Sequence, residues 1–302
     1  MLQQLSQRVY VVGGGSNKGL IAGPKGLIAV DTGLDDSHAR RLLKAAEELG
    51  RPLTAVLTTH AHADHFGGHA WLARRTGCRI YAPAGEDAVL RHPVLEPFSL
   101  YGGALPPAGL RGKFLLAPPC PVHEVVQPGP LEVEGIRIEA VPLPGHSLGQ
   151  MGYRVDEVFF VGDALFPSEA LQKYYAPYCV DLDETLRSLE HLAGSRAATY
   201  VPGHGPLFCD SESLAAAVAA HRQRLEELRS RVLACLSAPL TADQVLAAVL
   251  AEAGEHLPDA AGFVLARAPI LACLTSLHRA GLVEERVEEN AWRWARKMTP
   301  AG

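Results

Sequence analysis

Three histidines and an aspartate stand within six residues of one another, at His60, His62, Asp64 and His65. Imidazoles and carboxylates are common metal ligands, and a protein core seldom tolerates them at this density. The cluster follows an apolar run, residues 53–58, that is typical of a strand. Because a turn after a strand can point the first two side chains to one side and the last two to another, we expect one loop to serve two neighbouring cations.

Three further candidate ligands, His146, Asp163 and His204, each follow a predicted strand. A glycine stands directly before each of them, which lets the backbone turn sharply and approach a metal closely. A single histidine in a loop is usually structural, so these residues gain their weight only from the joint pattern. Seven ligands divide into two sets with one shared carboxylate, and the sequence therefore predicts a two-metal site.

Short apolar strands alternate with amphipathic helices along the part of the chain that carries these residues. Residues 8–12 and 27–30 are typical of strands, and residues 37–49 and 68–76 of helices. Gly135 separates two alternating runs, as a tight hairpin requires. Residues 92–121 are rich in proline and glycine, and we interpret them as an insertion that either caps the site or lies inert on the surface.

The C-terminal part of the chain predicts three helices, over 211–236, 241–252 and 263–280, followed by a short hairpin. Helix, helix, helix and a two-stranded wing is the order of a winged-helix module. We therefore divide the chain into a catalytic domain, 1–210, and a small, mainly helical C-terminal domain, 211–302.

Winged helices often bind DNA, so a non-enzymatic DNA-binding regulator is a rival hypothesis. The presumed recognition helix, however, carries only Arg267 and Arg279 as fixed positive charges, and four glutamates lie in the wing. The formal net charge of −5 gives no long-range attraction to phosphate either. We expect a small-molecule substrate rather than a nucleic acid, and a tail that covers the active-site mouth or forms a homodimer contact.

Composition places the chain among ordinary globular proteins, with 48% hydrophobic and 20% charged residues. The six cysteines are widely spaced and contain no CxxC pair, so a thiolate metal site is not indicated. The first seven residues have no basic region before an apolar stretch, and we find no run of about 18 uncharged apolar residues. We therefore expect a cytoplasmic protein without a membrane partner.

The HxHxDH motif at residues 60–65, with a later histidine, aspartate and histidine, resembles the metallo-beta-lactamase fold superfamily over roughly residues 8–208. Within it, the chain is most similar to the glyoxalase II-like and endoribonuclease-like branch. The resemblance implies an α/β fold, a four-layer αββα sandwich of two mixed sheets, with the metals at one edge between the sheets. It also implies a ligand assignment: His60, His62 and His146 for the first metal, Asp64, His65 and His204 for the second, with Asp163 bridging.

The same resemblance places Asp31 and Thr59 behind the metal ligands. A carboxylate there would fix the tautomer and orientation of an imidazole. Four residues that follow the Asp163 loop are candidate substrate contacts, for which packing and solvent exposure are the alternative explanations: Lys173, Tyr174, Tyr175 and Tyr178.

Two divalent cations close together lower the pKa of a bound water and polarise a scissile carbonyl or phosphoryl group. We predict a binuclear hydrolase that cleaves a small ester or thioester by a metal-bound hydroxide, with Asp64 orienting the hydroxide and collecting its proton. Zinc is the expected metal because imidazole-rich ligation suits it, although iron or manganese would accept the same ligands. The alternative enzymes are an endoribonuclease or phosphodiesterase of the same fold, which the acidic balance disfavours, and a mononuclear iron persulfide dioxygenase.

Overall fold

Two β-sheets pack face to face and enclose one of the main clusters of buried side chains. The computed structural model describes residues 2–173 and 175–297. The first sheet contains, in spatial order, β1 (Leu2–Gln4), β2 (Val9–Val12), β3 (Lys18–Ala22), β4 (Leu27–Val30), β5 (Leu53–Leu57), β6 (Arg79–Pro83) and β7 (Glu124–Val126). The second contains β8 (Gly129–Val133), β9 (Ile136–Pro142), β10 (Met151–Val155), β11 (Val158–Gly162) and β12 (Thr199–Pro202), which lie in the spatial order β12-β11-β10-β9-β8.

Strand patterning explains this packing. Along β9, Ile136, Ile138 and Ala140 are buried while Arg137 and Glu139 are exposed, as the two-residue period of a strand requires. The buried side chains meet those of the facing sheet in one apolar cluster. Strand β4 is buried at every position, because both faces of its sheet are covered.

Helices cover the outer face of each sheet, which gives four layers. The helices that precede β12 are α1 (Asp36–Glu48), α2 (Ala63–Phe66), α3 (His69–Thr76), α4 (Glu86–Arg91), α5 (Leu95–Leu100), α6 (Ser168–Lys173) and α7 (Leu182–Gly194). Apolar residues of α1 and α3 pack on the first sheet, and those of α7 pack on the second. The α/β sandwich with mixed sheets, predicted by resemblance, is confirmed.

The predicted hairpin around Gly135 is also confirmed. Strands β8 and β9 pair antiparallel with Val133 opposite Ile136, which leaves a two-residue turn. Both turn residues have positive φ, 51° at Glu134 and 79° at Gly135. Positive φ at both central positions is the conformation that matches the right-handed twist of the flanking strands.

The insertion at residues 92–121 is more ordered than its proline and glycine content indicated. It contains α5 and a short 3-10 helix, Ala108–Leu110. Leu110 and Leu115 are buried against Val264 of the C-terminal region. The insertion is therefore anchored by apolar contacts with the opposite end of the chain.

The C-terminal region consists of α8 (Ser211–Cys235), α9 (Ala242–Ala253), α10 (Ala260–Arg279) and a hairpin of β13 (Val283–Glu288) and β14 (Ala291–Arg296). Its apolar residues join the cluster that lies under α7, so buried packing continues across position 210. The division of the chain at that position and the winged-helix interpretation stay predictions.

Helix α10 is long and apolar enough to cross a membrane by length and composition alone, and 44% of its most apolar stretch is buried inside the protein. Its two arginines are engaged in ion pairs: Arg267 Nε lies 2.6 Å from Asp243, and Arg279 Nη1 lies 2.9 Å from Asp181. Each guanidinium group would therefore have to leave an aspartate partner in order to bind a phosphate backbone.

Candidate metal centre

The candidate ligands follow strands that end at one edge of the sandwich. The HxHxDH loop follows β5, His146 follows β9, Asp163 follows β11 and His204 follows β12. Strands β9, β11 and β12 run in the same direction, since β10 is antiparallel to both β9 and β11 and β12 is parallel to β11. The topology therefore brings together side chains that are up to 144 positions apart in sequence.

The first group of candidate ligands contains only imidazoles: His60, His62 and His146. One ring nitrogen of each lies within 4.8 Å of those of the others. His146 Nε2 and His62 Nδ1 are 2.8 Å apart, and His60 Nε2 is buried without a hydrogen-bond partner among the described residues. A divalent cation between these nitrogens would satisfy all three, so the residues fit a metal ion.

The second group contains Asp64, His65 and His204, again with ligand atoms within 4.8 Å of one another. His204 Nε2 lies 3.1 Å from Asp64 Oδ2 and 3.4 Å from His65 Nε2. This group is more accessible than the first, because the Asp64 side chain is 34% exposed and the His204 side chain 29%.

Asp163 lies between the two groups. Its Oδ2 is 3.6 Å from His146 Nε2 and 3.5 Å from His204 Nε2, and its Oδ1 is 3.4 Å from His65 Nε2. Oδ1 is buried and has no hydrogen-bond partner in the described part of the chain. Asp163 therefore contacts both groups, and its unpaired oxygen fits a ligand of a divalent cation.

Hydrogen bonds fix which nitrogen each imidazole offers. At Nδ1, His146 donates to Tyr178 O (3.1 Å) and His204 donates to Gly15 O (3.3 Å). His65 Nδ1 likewise donates to Asp31 Oδ2 at 2.8 Å. Each of these three rings therefore turns its Nε2 towards the centre, and this is the nitrogen that a metal would bind once it carries no proton.

Asp31 and Thr59 lie directly behind the candidate ligands. Thr59 donates to Asp31 through both its backbone N (2.8 Å) and its Oγ1 (2.7 Å), and its Oγ1 also lies 3.0 Å from His60 Nδ1. Asp31 has a φ of 58°, in the left-handed region that is uncommon for residues other than glycine. The two side chains form one buried network that reaches a histidine of each group.

Glu86 is a buried carboxylate that the sequence analysis did not single out. Its Oε2 accepts from Ala61 N at 2.7 Å, and its Oε1 accepts from Ser147 Oγ at 2.7 Å and from Gly149 N at 2.8 Å. These contacts tie the loop of His60 and His62 to the loop of His146. No spacing pattern could reveal Glu86, because its partners are mainly backbone groups.

Gly203 shows how closely the loops approach each other. A Cβ atom at this position would lie 1.9 Å from Asp163 Oδ1 and 2.7 Å from His65 Cε1. Only glycine avoids both clashes, so the inference drawn from the glycines beside the ligands holds at this position.

Burial controls the electrostatics of the first group. Burial, followed by the neighbouring histidines, holds the pKa of His60 well below its usual value. Burial also lowers the pKa of His62 to about 4 and that of His146 to about 3. These imidazoles are therefore neutral at physiological pH, in the form that binds a cation.

Carboxylates control the second group. Burial acts to lower the pKa of His65, but the Asp163 and Asp64 carboxylates outweigh it and hold that pKa well above its usual value. In the same way, burial is outweighed at His204, whose pKa is raised to about 10 mainly by Asp163. Without a metal, both of these rings hold protons that a cation would have to displace.

The candidate substrate contacts are only partly brought to the site. Lys173 is exposed at the end of α6, and Tyr174 lies outside the described residues. The Tyr175 ring packs below Arg224 and Arg231 of α8. Tyr178 lies at the centre, with its ring centroid 5.2 Å from that of His62 and 5.3 Å from that of His146. The sequence alone does not distinguish Tyr178 from the neighbouring Tyr174 and Tyr175.

The insertion also contributes a carboxyl group, Glu96 of α5. Its Oε1 lies 4.0 Å from His62 Nε2, and its side chain is 11% exposed. Burial, followed by the Asp64 and Glu86 carboxylates, holds the pKa of Glu96 well above its usual value. Of the two explanations for the insertion, contact with the site is the one that the structure favours.

The sequence matches the metallo-beta-lactamase superfamily over residues 11–204. Hydroxyacylglutathione hydrolase from Shewanella pealeana is 31% identical over 122 residues, which are 39% of this chain and 35% of that protein. The enzyme of the same name from Rhodospirillum rubrum is 27% identical over 181 residues, 59% of this chain and 56% of that protein. The alignments thus span about a third to a half of the length of most of these relatives.

Solved structures match almost the whole chain. A metallo-beta-lactamase family protein from Thermus thermophilus has a TM-score of 0.73 at 23% identity and covers 97% of this chain and 100% of its own. A beta-lactamase domain protein from Burkholderia ambifaria has a TM-score of 0.70 at 21% identity and covers 98% of this chain and 93% of its own. The shared fold therefore includes the C-terminal helices and is not confined to the sandwich.

Proposed function

Because the chain belongs to the metallo-beta-lactamase superfamily, we propose that it is a hydrolase that uses two divalent cations to cleave a small ester or thioester. The observation that carries this proposal is the position of Asp163. It contacts the imidazole group on one side and the Asp64, His65 and His204 group on the other, and one of its buried oxygens is unsatisfied.

Two cations held by these residues would supply a nucleophile by lowering the pKa of water, and would polarise the bond to be cleaved. His60, His62 and His146 would hold one cation, and Asp64, His65 and His204 the other. Zinc suits so many imidazole ligands, while iron and manganese remain chemically compatible.

The chain's own groups would then position the attack. Asp64 is the most exposed carboxylate of the centre, and its Oδ2 accepts from His204 Nε2 at 3.1 Å. We propose that it orients an attacking water and takes its proton. The phenol of Tyr178 and the carboxyl of Glu96 border the side of His62, where they would contact the substrate and exclude water.

The choice of a thioester rests on the relatives, several of which are named hydroxyacylglutathione hydrolases. Both arginines of α10 form ion pairs with aspartates, and the net charge of the chain is −5. Neither feature provides the positively charged surface that would attract a polyanion. These features support a small substrate over RNA.

The test is a substrate panel measured on the zinc-loaded wild type and on Asp64→Asn. The panel comprises an S-acylglutathione, a small neutral thioester, a lactone, a phosphodiester and a short single-stranded RNA. We expect the thioesters to give the highest kcat/KM, and Asp64→Asn to lower it by about 10²–10⁴-fold. Asp36→Asn, in the first turn of α1, is the matched control and should retain wild-type activity.

Three results would contradict the proposal. One is full activity in Asp64→Asn, and another is a phosphodiester or RNA as the best substrate. The third is a protein with one iron per chain that consumes oxygen in the presence of a persulfide, which would make it a dioxygenase.

A further inference from the structure

Lys18 is a buried lysine in an otherwise apolar strand. It opens β3, and it is only 1% exposed. No carboxylate lies within salt-bridge distance of its Nζ among the described residues. A buried ammonium is costly unless hydrogen bonds compensate for the lost water, so an apolar residue would suit a position that served only the core.

The ammonium is compensated by backbone carbonyls. Lys18 Nζ donates to Gly14 O at 2.9 Å and to Ser16 O. Both acceptors belong to residues 13–17, which connect β2 to β3 and which we call the glycine loop. Gly14 and Gly15 have φ values of 109° and 74°, which glycine adopts readily and which aim the loop carbonyls inward.

The glycine loop in turn holds the segments that carry the second group of ligands. Ser16 Oγ donates to Asp64 O at 2.8 Å, and Gly15 O accepts from His204 Nδ1 at 3.3 Å. Asn17 N donates to Gly203 O at 2.7 Å, directly before that histidine. Asn17 Nδ2 also donates to Gly205 O at 3.0 Å, directly after it.

The first group is supported by other parts of the chain. Its imidazoles and their loops are held by Thr59, by Tyr178 O and by Glu86. No hydrogen bond joins the glycine loop to His60, His62 or His146 in the part of the chain that the structure describes. A change in the loop should therefore affect the two groups unequally.

We propose that Lys18 is a positioning residue for the second metal: by fixing the glycine loop it sets the separation of Asp64 and His204. The inference rests on the proposed function, because it needs a protein that binds a second cation. It assigns a role in metal binding to a side chain whose hydrogen bonds, among the described residues, go to the glycine loop and not to a candidate metal ligand.

The experiment is a zinc titration of the metal-free, full-length protein with a competing chelator, which gives an affinity for each site. Lys18→Met keeps the length of the side chain and removes the ammonium. We expect it to weaken the second site by about 10–100-fold, the usual effect of losing an outer partner, and to leave the first site unchanged. Lys44→Met removes an exposed ammonium of α1 beside the same loop and should change neither affinity.

A second variant keeps the inference testable if Lys18→Met does not fold. Ser16→Ala removes the hydrogen bond to Asp64 O and leaves Lys18 in place. We expect it to weaken only the second site, by about 2–10-fold, which is the value of one ordinary hydrogen bond. Cobalt(II) absorption spectra of both variants should show an altered second site beside an unaltered first one.

The outcomes separate the inference from the proposed function. Unchanged affinities in folded Lys18→Met, or equal losses at both sites, would overturn the positioning role. If Lys18→Met is unfolded, an unaltered second site in Ser16→Ala would overturn it. A wild type that binds fewer than two zinc ions would instead contradict the binuclear function itself.

Discussion

The two ligand groups of the metal centre, its first and second halves, differ in what controls the protonation of their histidines. The first half is a set of buried imidazoles, which burial holds neutral. The second half mixes imidazoles with the partly exposed Asp64, and carboxylates hold its histidines in the protonated form. The first cation would therefore bind a site whose imidazoles are already unprotonated, whereas the second would compete with protons and exchange more readily.

Removing the outer carboxylate should produce the largest difference between the halves. Asp31→Asn removes the charge that His65 Nδ1 contacts at 2.8 Å, so zinc affinity at the second site should fall by about 10–100-fold. Thr59→Val removes the hydroxyl that lies 3.0 Å from His60 Nδ1, and its larger effect should be at the first site. Chelator-competition titrations measure both. If both variants weakened the same site, the halves would not be separately supported.

The next largest difference between the halves should be in the pH dependence of their zinc affinities, because protons compete with zinc at the second half. The pKa of His204 is raised to about 10 and that of His65 is raised as well, so both rings are protonated at pH 6–8 and must lose a proton to bind zinc. Affinity at the second site should therefore rise about tenfold per pH unit for each proton displaced.

The pKa values of His62 and His146, about 4 and about 3, lie below this range, so their affinity for zinc should stay flat. Zinc titrations at pH 6, 7 and 8 measure both slopes. Parallel pH dependences at the two sites would remove the distinction between them.

The smallest expected effect is at Glu86, whose hydrogen bonds among the described residues go to the loops of the first half. Glu86→Gln keeps one acceptor oxygen and loses the charge on the hydrogen bonds from Ala61 N, Ser147 Oγ and Gly149 N. We expect Tm to fall by about 2–4 °C and first-site affinity to fall a few-fold. Calorimetry and zinc titration measure these changes. A loss confined to the second site would mean that Glu86 acts in some other way.

The ligands could be predicted from sequence because metal binding restricts residue type and spacing together. The six-residue cluster indicated a metal site without any structure, and each later ligand stood beside a glycine at the end of a strand. Gly203 shows the physical reason, since a side chain there would overlap Asp163.

The supporting residues could not be predicted, because their partners are distant backbone atoms. Glu86 acts on peptide groups of two other loops, and Lys18 on two carbonyls. A lysine between a glycine-rich turn and an apolar strand was the one available signal for Lys18. Likewise, only tertiary packing distinguishes Tyr178, at the centre, from Tyr175, which packs on α8. Helix α5 was missed because Pro97 argues against a helix, although a proline in the first turn of a helix is tolerated.

The most direct test of the account is anomalous diffraction at the zinc edge from crystals of the zinc-loaded protein. We expect two peaks about 3.5–4 Å apart, with Asp163 between them. One peak should lie among His60, His62 and His146, and the other should contact Asp64, His65 and His204. A single peak, or a second peak outside the latter group, would contradict the two-metal centre.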